Sequence, residues 1–170
     1  MNDNMEDTNF ERLMEAIHFC FDILPFMNHS LLDVITLNRI LWEADTRQFI
    51  NTRKSITNES YVKTLSGPIA NRTNLALREL EERNDLLFST PDQWFPITNI
   101  THYVPSLLEN SELDLIEASM HRILNGSIDQ KDELWRLASE GENLPLFISL
   151  AKLADVSEEQ MEWARQQEAT

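Results

Sequence analysis

Glycine is scarce in this chain. Gly67, Gly126 and Gly141 are the three in 170 residues, and no two stand close together. A phosphate-cradling loop needs clustered glycines so that backbone amides can approach the anion, so P-loop and dinucleotide fingerprints are excluded. Cysteine is rarer still: Cys20 alone allows no disulfide framework. Cys20 falls in a helical apolar pattern, where a reduced thiol packs as a small hydrophobe. A nucleophile would need a base and an orienting group, and His18, two positions away, points elsewhere on a helix. No apolar run approaches the roughly 18 residues that cross a bilayer, so no membrane association is expected. The acidic, polar start MNDNMEDTNF is neither a secretory nor a transit leader. The five Asn-X-Ser/Thr sequons, such as Asn58-Glu59-Ser60, therefore mean little, and the expected location is cytoplasmic.

Positive charge is also in short supply. Fourteen Lys and Arg stand against 29 Asp and Glu, a net charge of −15. The imbalance is uneven, at −6 over residues 1–36, +2 over 37–84 and −11 over 85–170, and eight of the basic residues fall in the middle segment. An acidic body is repelled by nucleic acid and by anionic lipid, so nucleic acid is an unfavoured partner. The acidic segments read as solvated helix faces, or as surfaces that help a basic partner approach.

What is present is helical periodicity. Residues 1–8 are expected to be disordered and 9–170 to form one domain. Phe10, Leu13, Met14, Ile17, Phe21 and Leu24 follow the 3-4 spacing of a helix that Pro25 ends. A second helix runs roughly from Leu32 to Ile50, with Leu37, Leu41, Ala44 and Gln48 on one face. A polar run over 51–60 leads to a β-like piece, Tyr61–Leu65, and then to Ser66-Gly67-Pro68. Ser66 suits an N-cap and Pro68 a first helical turn, which predicts a helix over 69–84. Leu86–Phe88 and Trp94–Ile97 flank a Pro/Asp turn and read as a β-hairpin. A helix leading directly into a hairpin is winged-helix-like. Helices are expected from Ser111 to Asn125-Gly126, from Ser127, over 145–154 and from Ser157, with capping-box spacing at Ser127/Gln130 and Ser157/Gln160. The fold class is therefore mainly α (α+β): one helical domain of six or seven helices. Its small sheet is expected to combine Tyr61–Leu65 with the 86–97 hairpin.

Chemistry-bearing groups are scattered. His18 with Asp22, and Glu117 with His121, are four apart on helices. Neither pair supplies the three or four ligands of a metal site, so structural or surface roles are expected. There is no calcium loop. Trp42, Trp94, Trp135 and Trp163 fit core or edge packing better than a base-stacking platform. No catalytic residue, cofactor site or metal site is expected.

The central stretch resembles the Panacea domain, the SocA-like antitoxin-associated family. The resemblance rests on Leu37-Asn38-Arg39-Ile40-Leu41-Trp42-Glu43-Ala44-Asp45, then Ile56-Thr57-Asn58, Tyr61-Val62 and Gly67-Pro68-Ile69. Trp135, Gly141 and Leu144-Pro145 resemble its C-terminal block loosely. The chain departs from the pattern in Trp42 where Tyr is usual, in Asn58 where Gly is common, and in Ser66. The resemblance implies a mostly helical, non-enzymatic protein with a small β element. It further implies an antitoxin that neutralises a co-encoded protein toxin by direct contact, or an adaptor that hands the toxin to a protease. Members occur in prophages and mobile elements. A winged-helix-like DNA-binding transcriptional regulator is the alternative. The expected partner-binding residues are Trp42, Asp45, Arg47, Arg53, Tyr61 and Lys63, because this segment alone has a positive balance and hot spots favour Trp, Tyr and Arg. Trp42 and Tyr61 serve equally well as core residues.

Overall fold

The computed structural model describes residues 3–64, 67–90 and 93–126. The helices expected over 127–170, with Trp135 and Trp163, lie outside the described residues.

Helix α1 (Asp3–Ile23) begins ahead of Asn9, so residues 3–8 are helical where disorder was expected. Its buried face is the one the spacing indicated, with Leu13, Met14, Ile17 and Phe21 inward. Pro25 enters a short 3-10 turn (Leu24–Met27), which stops at Asn28 in the left-handed region, φ 60°. Asp33 then caps helix α2 (Val34–Thr52), its Oδ1 accepting the Thr36 N–H at 2.8 Å. Arg53, also left-handed at φ 62°, ends α2 by donating its N–H to the Phe49 carbonyl.

Strands β1 (Tyr61–Thr64) and β2 (Gly67–Ala70) form an antiparallel hairpin, with Tyr61 opposite Ala70 and Thr64 opposite Gly67. This corrects the sequence reading, which placed a helix start at Pro68. Helix α3 begins only at Thr73 and runs to Glu82. Two local facts account for the difference. Gly67 adopts φ 113°, open to glycine alone and well suited to leaving a tight connection. Pro68 sits in a two-stranded hairpin, where a strand lacking one N–H donor is tolerated.

Strands β3 (Leu86–Thr90) and β4 (Gln93–Asn99) form a second hairpin directly after α3, as expected. Paired residues share a face: Phe88 and Ile97 point inward while Leu87 and Thr98 are exposed. A register shift lies between Phe88 and Thr90. The two hairpins are separate sheets, not the single small sheet that the sequence suggested. Helix α4 (Asn110–Leu124) starts slightly earlier than Ser111. The Glu109 N–H donates to the Glu112 carboxylate at 2.8 Å, and this closes its first turn.

The architecture is thus α+β, with helices dominant. Helix α1 packs on α3 and α4, and α2 packs on α4 and β2. Leu13, Ile17, Leu37, Leu41, Leu77 and Ile116 are fully or almost fully buried in one continuous core. Among the described residues, no helix is long and apolar enough to cross a membrane.

Two outcomes follow from this packing. Ile116→Ala should lower the unfolding free energy by about 2–5 kcal/mol in a urea titration, since the cavity opens where α4 meets the core. Cys20 is fully enclosed, and burial pushes its thiol far above the ordinary value. A thiol reagent should therefore leave the native protein unlabelled at neutral pH and label it stoichiometrically in denaturant.

Candidate functional site

Helix α2 is buried almost all round, and it carries polar side chains into that interior. Asn38, Glu43, Asp45 and Thr46 are all buried. A polar group taken from water without a partner costs several kcal/mol in an apolar setting, so each must be matched. Asn38 donates to the Val34 carbonyl at 2.8 Å, and its Oδ1 accepts the Ala70 N–H at 2.9 Å and the Thr73 hydroxyl at 2.7 Å. One carboxamide thereby fixes both the end of β2 and the start of α3. Seven residues on, and so two turns along the same face, Asp45 is 0% exposed. It accepts the Ile56 N–H at 2.8 Å, the Thr57 N–H at 2.9 Å, the Thr57 hydroxyl at 2.5 Å and the Tyr61 hydroxyl at 2.6 Å. Burial raises the Asp45 carboxyl above its ordinary value, and hydrogen bonds led by Thr57 and Tyr61 pull it partly back. The Tyr61 phenol is pushed well up by burial and by the carboxylate beside it, so it stays a donor. Glu43 ties α2 to α4, accepting from Arg47 Nε at 2.8 Å and from Arg122 Nε at 2.5 Å.

These contacts redistribute the expected binding residues. Trp42 and Asp45 are interior, and Tyr61 is engaged with Asp45, so all three shape the frame. Arg47 and Arg53 remain partly exposed at the C-terminal end of α2, with Arg47 paired to Glu43. Lys63 lies on β1 opposite Pro68. The structure therefore splits the set: Asp45 and Tyr61 order the 51–60 connection, and the partly exposed Arg47 and Arg53 flank it.

Beside that connection lies a cleft of about 420 Å³, lined by Asn9, Asn58, Glu59, Ser60, Asn71 and Arg72. Asn9 comes from α1, Asn58 to Ser60 precede β1, and Asn71 and Arg72 join β2 to α3. Asn58 sits at φ 55°, a conformation its short polar side chain tolerates, and donates Nδ2 to Asn9 Oδ1 at 2.9 Å. The Asn71 N–H bonds the Ser60 carbonyl at 3.0 Å and continues the hairpin ladder past its last paired residues. Glu59, almost wholly buried, accepts from Arg72 Nε at 2.7 Å, and the Arg72 guanidinium also lies 5.3 Å over the Phe10 ring.

Sequence reasoning missed the side chains that hold this region to the rest of the fold. Arg12 donates to the Ile56 carbonyl at 2.7 Å, to the Leu107 carbonyl at 3.0 Å and to Glu112 at 2.5 Å. One turn on, Glu15 accepts the Tyr103 hydroxyl and the N–H groups of residues 106–108. Both sit on the first turns of an ordinary amphipathic pattern, and nothing in that pattern names partners some ninety residues away. His18 and Asp22 do not converge on one point. His18 Nε2 meets the Thr101 carbonyl at 2.9 Å, whereas Asp22 meets Asn99 and His102. Among the described residues, no group of three or more His, Cys, Asp or Glu is placed to hold a metal ion.

Compared with protein-family models, curated proteins and solved structures, the chain finds no match.

The buried carboxylate sets a clear expectation. Asp45→Ala would strand four donors from the 56–61 segment and should cost about 3–5 kcal/mol. Tyr61→Phe removes one donor and leaves the others, so about 1–2 kcal/mol is expected. Urea titrations of both variants, compared with the parent, measure the difference.

Proposed function

We propose that this chain is a non-enzymatic, antitoxin-like protein that neutralises a partner toxin by direct contact. Delivery of that toxin to a protease is the other form the same contact could take. The reading is supported by the resemblance of the Leu37–Asp45 and 56–69 blocks to the Panacea domain. It is also supported by one structural observation. The buried polar residues of α2 hold the 51–60 connection firmly, while the cations around it, Arg47 and Arg53, stay at the surface. A connection held by rigid neighbours is where binding residues commonly sit. An acidic body with this single basic balance also suits a partner whose contact face carries acidic groups amid a basic surround.

The winged-helix-like alternative starts from α3 and the β3–β4 hairpin. Of the three arginines it would use, Arg72, Arg78 and Arg83, two are held by carboxylates: Arg72 by Glu59, and Arg83 by Glu11 and Glu79. Each would have to leave a carboxylate before reaching a phosphate, which weakens that reading.

Co-expression with the product of the adjacent open reading frame tests the proposal. Rescue of growth and co-purification of the two proteins are expected, and neither should occur if the chain acts alone. Arg53→Glu with Lys63→Glu should abolish co-purification, with circular dichroism showing that the variant is still folded. A salt-dependent shift of the neighbouring promoter DNA at physiological salt would favour the regulator instead.

A further inference from the structure

We propose that the Asn9–Asn58–Asn71 cleft is a docking groove for an uncharged, extended stretch of polypeptide, recognised through its main chain. The inference rests on the reading that this chain binds a protein, and it names the part of the partner that enters.

The chemistry of the lining carries it. A carboxamide offers N–H donors and a C=O acceptor, the same kinds of group that a peptide bond presents. Three carboxamides and one hydroxyl converge on the cleft from three separate segments of chain. Asn9 and Asn58 are bonded to one another through one donor and one acceptor, and that bond leaves the Asn58 Oδ1 acceptor and the Asn9 amino donors unused. Among the described residues, no hydrogen bond engages the Asn71 carboxamide or the Ser60 hydroxyl. The cleft is also electrically balanced. Its one cation and one anion, Arg72 and Glu59, are locked together at 2.5 Å, so it holds no net charge with which to select an anion or a cation.

Two further observations separate a peptide from other neutral polar ligands. A carbohydrate is usually gripped by stacking on a bare aromatic face; none of the lining residues is aromatic, and the Phe10 ring beside Arg72 carries its guanidinium. The cleft also adjoins the open end of the β1–β2 hairpin, where the Asn71 to Ser60 bond has just ended the ladder. An extended segment laid there meets strand-like backbone, the setting in which main-chain hydrogen bonds supply affinity. A volume of about 420 Å³ lies within the usual range for such sites.

The test uses an array of immobilised random heptapeptides, probed with the full chain. Uncharged, extended sequences should be captured. The strongest binder, resynthesised with N-methylated backbone amides, should bind about tenfold or more weakly. The Ser60→Ala, Asn71→Ala double variant should lose a similar factor while melting at the parental temperature, because neither side chain supports the fold. Capture of no peptide would overturn the proposal. So would equal affinity for the methylated and unmethylated forms, or for the double variant and the parent. Binding to an oligosaccharide array with no peptide captured would overturn it in favour of a sugar. Co-purification of the genomic neighbour separates the two levels. If the parent chain captures no peptide yet co-purifies with its neighbour, or if the double variant keeps that partner, the protein-binding reading stands and this groove does not.

Discussion

A helix surrounded by protein needs partners for the polar atoms it brings inside, and α2 brings in four polar side chains, of whose buried side-chain atoms Glu43 Oε2 is left without one. That constraint organises the described structure. Asn38 faces the β1–β2 hairpin and α3, Glu43 faces α4, and Asp45 faces the 55–61 segment. Each makes contacts that only one arrangement of the surrounding elements provides. Apolar packing alone would hold these elements together but tolerate sliding and rotation, since it is not directional. Geometry-dependent bonds from a single helix fix their register as well. The Asp45 carboxylate illustrates the balance: burial opposes its ionisation, and the donors around it offset much of that cost.

Helix α1 plays a complementary part through charge. Arg12 reaches both the Ile56 and the Leu107 carbonyls and Glu15 reaches the loop over 103–108, so both long connections are held from neighbouring positions of one helix. The pattern explains why a chain with so many acidic residues can still fold compactly. Several of its carboxylates are bound to arginines or to backbone N–H groups: Glu15, Glu43, Glu59 and Glu112 are each engaged in this way.

The consequence for function is a division between residues that shape and residues that meet. Trp42, Asp45 and Tyr61 have the composition of a binding hot spot, yet their side chains build the platform. What the platform displays is a rim with Arg47 and Arg53, and a neutral cleft walled by carboxamides. A neutral, hydrogen-bonding groove beside a more basic rim suits recognition in two steps. In the binding proposed above, charge would bring a partner near and main-chain contacts would hold a segment of it.

Much of this was legible in the sequence because it depends on local periodicity. The inward faces of α1 and α2, the stop at Pro25 and the hairpin after α3 all follow from spacings of two or of three and four residues, which steric geometry imposes wherever such a segment is half buried. The central place of the 37–68 stretch was legible too. The start of α3 was not. Ser66-Gly67-Pro68 matches a helix opening by local preference, and the preference lost to pairing between Gly67–Ala70 and Tyr61–Thr64, reinforced by Asn38 receiving the Ala70 N–H. Nor could spacing show that Asp45 points inward, that Arg12 reaches Ile56, Leu107 and Glu112, or that Asn9 joins Asn58 and Asn71 at one cleft. Those facts depend on which distant residues become neighbours. Periodicity tells a side chain which face of its own element it occupies, but only the packing of elements against one another decides what it meets there.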